Sequence, residues 1–150
     1  MQTKLLKKNE QAPMELLLTA DPSETLVKDY LDRGYCYTAE IDNQTVGVFV
    51  LLEITSDTIE LINIAVDEKH QGKGIGKTLV KDAIQKAKEI GFKTIEVGTG
   101  NSSIGQLALY QKCGFRIISV YKNFFIRNYK EEIFEKGIQC MDMVRLSKEL

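Results

Sequence analysis

Hydrophobic and polar positions change period along this chain, and the changes mark out its elements. Tyr35 to Ile41 and Thr45 to Ile54 are rich in β-branched and aromatic residues, and Asp42-Asn43-Gln44 between them predicts a tight hairpin turn. Ile59 to Val66 is apolar except for Glu60 and Asn63, which predicts a central strand covered on both faces. From Ile75 the period lengthens. Ile75, Leu79, Val80, Ala83, Ile84, Ala87 and Ile90 share one face of a helix that Gly91 ends.

Further on, Lys93 to Val97 predicts a strand. Ser103 to Cys113 predicts a helix stopped by Gly114, with Ile104, Leu107 and Ala108 on its buried face. Phe115 to Tyr121 reads as another strand, Asn128 to Lys136 as a helix, and Ile138 to Leu146 as a last strand closing the sheet. Near the N-terminus a short strand at Thr3 to Lys7 precedes helices at Pro13 to Ala20 and Ser23 to Asp32, the second capped by Ser23 and ended by Gly34. A β-rich front half followed by β-α-β-α-β and a final strand gives a mixed sheet with helices on both faces, α/β or α+β in type.

The junction between the central strand and the long helix reads Gln71-Gly-Lys-Gly-Ile-Gly76. A glycine-rich turn from strand into helix leaves backbone N–H groups without partners at a helix N-terminus, where phosphate oxygens bind. Two nucleotide patterns fit poorly. Gly76-Lys77-Thr78 matches the end of a P-loop, but Gln71 stands where its first glycine belongs. Gly72, Gly74 and Gly76 approach a dinucleotide fingerprint, but the last spacing fails, with Lys77 in the third glycine's place.

Gln71-x-x-Gly74-x-Gly76 resembles the acyl-CoA signature [Gln/Arg]-x-x-Gly-x-[Gly/Ala] of the GNAT superfamily of N-acetyltransferases. Leu109-Tyr110 followed by Gly114-Phe115 is similar to a second motif of that family, and the strand, helix, strand and helix fall in the family's order. The resemblance covers about Ile59 to Phe115 and implies a GNAT-like fold. That fold is a central, mixed but mostly antiparallel sheet of about six to seven strands with helices on both faces. It also implies acetyl-CoA as donor, an amine of a small molecule or a protein as acceptor, and direct transfer in a ternary complex. Family members are often dimers, so a homodimer is open to this chain.

The same resemblance implies residue roles. Pyrophosphate would lie on the amides of Gly72, Lys73, Gly74, Ile75, Gly76 and Lys77, with Gln71 opening the motif. Backbone groups of Ile64, Ala65 and Val66 would pair with the pantetheine arm. Tyr110 would be the general acid toward the departing thiolate, and Glu60 the general base toward the amine. The family often has Asn and Ala seven and four residues before the tyrosine. This chain has Ser103 and Gln106 there, with Asn101 two residues early. Asn101 and Ser103 are therefore candidates either for a ligand contact or for a helix cap. Lys77 reads equally as a phosphate contact or a solvated lysine, Lys73 more readily as a solvated one, and Glu60 equally as a base or an exposed strand-start glutamate. His70, in the charged run Asp67 to His70, reads as a loop residue, and Cys113 as a thiol without a histidine partner. For the acceptor the acidic early helices (Glu15, Asp21, Glu24, Asp29, Asp32) and the late aromatic and acidic residues (Tyr121, Phe124, Phe125, Tyr129, Glu131, Glu132, Glu135) suit a cationic amine.

Composition narrows this further. At 150 residues the chain suits one domain spanning residues 1–150, and a net charge of −1 gives no field for nucleic acid or a membrane surface. Three scattered cysteines fit a reducing compartment better than disulfides or a zinc site, so no metal is expected. No run approaches the ~18 residues of a membrane span, and the first residues lack an apolar signal core, so a cytoplasmic location is expected. Two rivals remain: an acyl-CoA-binding sensor of the same fold without turnover, and a P-loop nucleotide-binding protein.

Overall fold

The computed structural model describes residues 1–150. In chain order the elements are β1 (Gln2–Leu5), α1 (Met14–Ala20), α2 (Glu24–Arg33), β2 (Tyr35–Ile41), β3 (Gln44–Glu53) and β4 (Thr58–Val66). A short turn of 3-10 helix at Glu68–His70 leads into α3 (Ile75–Ile90), β5 (Thr94–Gly100), α4 (Ile104–Lys112) and β6 (Arg116–Tyr121). The chain ends in α5 (Phe124–Asn128), β7 (Phe134–Glu135), β8 (Ile138–Gln139) and β9 (Met143–Glu149).

Seven strands form one sheet in the order β1-β2-β3-β4-β5-β9-β6, antiparallel throughout except between β4 and β5. β4 is central, as its apolar run predicts, and α3 has the predicted bounds. The β2–β3 hairpin turns on Asp42 and Asn43, both with positive φ, a conformation those two residue types tolerate. Ser23 caps α2 by accepting the Leu26 N–H at 3.3 Å.

Each face of the sheet carries its own apolar cluster. On one side the α3 stripe of Ile75, Leu79, Val80, Ala83 and Ala87 packs with Phe49, Leu51, Ile59, Leu61, Ile95, Val97 and Leu146, joined by Tyr110 and Phe115. On the other side Leu17, Val27 and Tyr30 of α1 and α2 cover Val48, Val50, Leu52 and Ala65. β3 serves both clusters, and all its residues from Val46 to Leu52 other than Gly47 appear in the buried apolar set.

Four expectations are corrected. No helix spans Asn128 to Lys136: α5 ends at Asn128, and a two-stranded hairpin, β7–β8, turns on Lys136 and Gly137, both with positive φ. The final strand is broken. Ile138–Gln139 pairs with β7, and only from Met143 does the chain rejoin the main sheet. That strand does not close the sheet either, because β9 inserts between β5 and β6 and leaves β6 at the edge. On α4, Ile104 is 56% exposed and Ala108 is exposed as well, so the inward stripe runs through Leu107 and Tyr110 instead. Periodicity misled there because α4 is short and covers only the end of the cluster.

Leu79 is fully buried where α3 crosses the sheet. Leu79→Ala removes its contacts on the central strands and is expected to lower unfolding free energy by about 2–5 kcal/mol in denaturant titration. A loss below about 1 kcal/mol would mean that the site collapses to refill the cavity.

Candidate active site

The site begins where two strands part. β4 and β5 run parallel from Thr58↔Thr94 to Leu61↔Val97, and there their pairing stops. Beyond that point β4 continues to Val66 bonded only to β3, while β5 stays with β9 to Gly100. The β3 register skips from Leu51↔Leu61 to Val50↔Asn63, so Ile62 is an extra residue in β4. A bulge of this kind bends and twists its strand, which turns β4 away from β5. The edge of Ile64, Ala65 and Val66 facing the fork is thereby left without a strand partner.

At the end of β4 the glycine turn begins. The Gln71 side chain, predicted to open a ligand motif, donates to the Val66 carbonyl at 3.1 Å and ties the turn to the strand. Gly72 and Gly74 both have φ near 79°, where any Cβ is strained, and Gly74 is the N-cap of α3. After Gln71, whose N–H reaches the Glu68 carbonyl, the next amide to donate within the chain is that of Thr78, to the Gly74 carbonyl at 3.1 Å. The amides of Gly72, Lys73, Gly74, Ile75, Gly76 and Lys77 are therefore all available at the positive end of the α3 dipole. Lys73 and Lys77 are exposed beside them. A Cβ on Gly76 would meet Leu109 Cδ2 at 3.8 Å and Val66 Cγ2 at 3.9 Å, so the first turn of α3, the end of β4 and α4 converge here.

Tyr110, one residue past Leu109, is 3% exposed and packs edge-on against Phe115 at 5.8 Å between ring centroids. Its oxygen accepts an N–H from Gln106 at 3.2 Å, and its own proton goes to no acceptor of the chain. Burial pushes the phenol well above its ordinary value, opposed by the Gln106 bond. Gln106 is a contact that sequence reasoning missed; its spacing of four residues from Tyr110 on one helix was the available signal.

Glu60 lies on the opposite face of the sheet, since its neighbours Ile59 and Leu61 point into the α3 cluster. It sits one residue before the fork, paired across it with Glu96. Arg145 of β9, also missed in the sequence, reaches both carboxylates: Nη1 to Glu60 Oε2 and Nη2 to Glu96 Oε1, each at 3.1 Å. Burial works against the guanidinium's charge, but Glu60 and Glu96 outweigh it and hold the group above its ordinary value.

The late aromatic residues close the side of this face. Phe124 packs on Phe125 and Phe125 on Tyr129, whose hydroxyl donates to Asp21 Oδ1 at 2.9 Å. Asp21 also accepts from Tyr30, and the Tyr30 oxygen accepts from Asn63 at 2.8 Å. The early acidic turn and the late aromatic residues thus meet, although 108 residues separate Asp21 from Tyr129.

Asn101 and Ser103 lie elsewhere in their bonding. Asn101 Oδ1 accepts the amides of Met141 and Asp142 while its Nδ2 donates to the Gln139 carbonyl, which holds the break between β8 and β9. Ser102 and Ser103 both donate to Glu135, and no side chain caps α4. Both side chains are committed within the chain, to tertiary partners rather than to a helix cap. His70 bonds Asp67 in its loop at 2.9 Å.

Comparison with known proteins places this geometry. Residues 5–115 match the model of the acetyltransferase (GNAT) family. The Bacillus subtilis (strain 168) protein described as uncharacterized N-acetyltransferase YvbK is 60% identical over 136 residues, which is 91% of this chain and 88% of that one. A GNAT family acetyltransferase from Elizabethkingia anophelis, crystallised with acetyl-CoA bound, superposes with a TM-score of 0.97 at 48% identity, covering 99% of this chain and 97% of the other. A Bacillus subtilis acetyltransferase in complex with CoA superposes with a TM-score of 0.94 at 55% identity, covering 99% and 97% of the two chains.

Burial also raises Tyr30 and Tyr129, so three phenols keep their protons in the folded state above their ordinary value. The unfolded chain releases them near pH 10, so beyond that the folded state binds more protons and stability falls as pH rises. Below about pH 10 this contribution is fully present. Denaturant midpoints are expected to hold between about pH 7 and 9, to drop above about pH 10, and to drop less steeply in Tyr110→Phe. An equal slope in that variant would remove Tyr110 from the effect.

Proposed function

The chain belongs to the acetyltransferase (GNAT) family and is an acetyl-CoA-dependent N-acetyltransferase, and from that premise we propose that it passes the acetyl group directly to a primary amine while both substrates are bound. The observation that carries this reading is the gap between β4 and β5. Glu60 borders it on one face of the sheet, and α3 and α4 border it on the other. A thioester lying in the gap would meet an amine arriving from the Glu60 face and a proton donor on the α4 side.

In this reading the amides from Gly72 to Lys77 grip the pyrophosphate, with charge added by Lys73 and Lys77. The pantetheine arm takes the place of a missing strand along Ile64, Ala65 and Val66, whose amides and carbonyls on that side have no β5 partner. Gln71 shapes the turn through its bond to Val66. Asn101 and Ser103 take no part through their side chains, because both are engaged with the C-terminal segment.

An alkylammonium, with a pKa of about 10.4, must lose a proton before it can attack. Glu60 accepts that proton at Oε1, directly or through a water, while Arg145 holds Oε2. The amine nitrogen then adds to the thioester carbonyl carbon. As the tetrahedral intermediate collapses, the carbon–sulfur bond breaks, the Tyr110 hydroxyl protonates the sulfur, and the second proton of the attacking nitrogen restores the Tyr110 phenol through water while Glu60 returns its proton to solvent, leaving a neutral amide and free CoA. A phenol is protonated at neutral pH, burial raises its value further, and Gln106 occupies its oxygen so that its proton is free to be given. No acyl-enzyme is formed. Asp21 and the aromatic residues around Tyr129 favour a cationic acceptor.

Transfer is read as thiol release with a panel of an alkyl diamine, an aminoglycoside and a lysine-containing peptide, and donor binding by calorimetry. Tyr110→Phe is expected to slow transfer roughly 100-fold with little change in acetyl-CoA affinity. Turnover at the wild-type rate would remove Tyr110 as the acid. Gly74→Glu puts a carboxylate and a strained Cβ into the row of amides, and acetyl-CoA binding is expected to disappear. Unchanged affinity in that variant would put the pyrophosphate elsewhere.

A further inference from the structure

Arg145 is 6% exposed, and its guanidinium lies at the fork between two carboxylates from two different strands. It also stands over the Tyr121 ring, 5.6 Å from the centroid. Space for it depends on Gly98, where a Cβ would come within 2.7 Å of both Arg145 Nη1 and Met143 Sδ. The ladder between β5 and β9 already joins these strands through their backbones. A buried ion triad adds little net stability to such a ladder, because desolvation offsets most of its attraction, and apolar residues in place of all three of Glu60, Glu96 and Arg145 would hold the strands as well. A guanidinium kept here therefore calls for another role, and the atom it fixes beside the fork is Glu60 Oε2.

We propose that Arg145 is the positioning residue of the proton-accepting site, anchored on Glu96 through one Nη and holding Glu60 through the other so that Oε1 faces the fork. Glu96 is the counter-anchor, Gly98 the clearance and Tyr121 the backing that keep the guanidinium in one place. The inference rests on the reading of Glu60 as general base. Arg145 itself touches neither substrate. Its effect is on where the accepting oxygen lies, and a displacement of about 1 Å at such a group costs as much as 100-fold in rate.

The test is a double-mutant cycle on thiol release, using the panel amine with the fastest turnover, with acetyl-CoA affinity measured in parallel. Glu60→Gln alone is expected to slow transfer by roughly 100-fold or more. Arg145→Met is expected to slow it by roughly 10- to 100-fold with acetyl-CoA affinity unchanged, and Arg145→Lys, which can reach one carboxylate at a time, to recover part of the rate. The pair Glu60→Gln with Arg145→Met should be no slower than Glu60→Gln, since a positioning residue has nothing left to position. Effects that multiply, or an Arg145→Met enzyme as fast as wild type, overturn the proposal. A Glu60→Gln enzyme at full rate instead removes Glu60 as the base, a separate outcome. Should Arg145→Met fail to bind acetyl-CoA, the same cycle is run with Glu96→Gln and Gly98→Ala, which disturb the guanidinium from its other two sides.

Discussion

The parting of β4 from β5 after Leu61 and Val97 is the constraint on which the rest of the site depends. A strand inside a sheet normally satisfies its backbone groups on both edges, and leaving one edge open is costly unless something fills it. Here the open edge is central rather than peripheral. The extra residue at Ile62 bends β4 away, while Asn63, held by Leu17 and Tyr30, pins the strand to the α1–α2 side after the bend. The two apolar clusters keep the sheet intact around this opening, because β3 is buried on both faces and carries β4 along its whole length.

The glycine turn depends on the same geometry. Gln71 fastens to the last carbonyl of the open strand, two left-handed glycines reverse the chain, and α3 starts with its free amides beside the end of β4. The glycine turn and the sheet opening are thus parts of one arrangement. The strand that has lost a partner leads directly into the helix end that has not yet found one.

Charge is arranged across the sheet rather than along the chain. Glu60, Glu96 and Arg145 come from three strands and meet at the mouth of the fork, while Tyr110, on the other face, sits among apolar groups with only Gln106 at its oxygen. In the proposed function these two groups carry opposite proton transfers, the carboxylate as acceptor and the phenol as donor. The sheet lies between them, and the fork opens beside Glu60, one residue beyond it on β4.

Much of this was legible in the residues themselves. The α3 stripe, the Gln71 to Gly76 turn, the hairpin at Asp42-Asn43 and the pairing of Tyr110 with Gly114-Phe115 are local patterns, and local patterns survive in one dimension because they depend on neighbours a few residues away. The hairpin at Lys136-Gly137 was hidden by helix-forming residues around it, and the insertion of β9 between β5 and β6 has no local signature. By itself the sequence determined the family, the glycine turn that opens α3 with free amides, and the place of Tyr110 on the next helix. Only the tertiary structure decided that Arg145 stands between Glu60 and Glu96, that Asp21 meets Tyr129, and that Asn101 serves the backbone of residues 139–142. Those contacts join residues tens of positions apart, and their partners follow from strand order and register, which no short-range periodicity encodes.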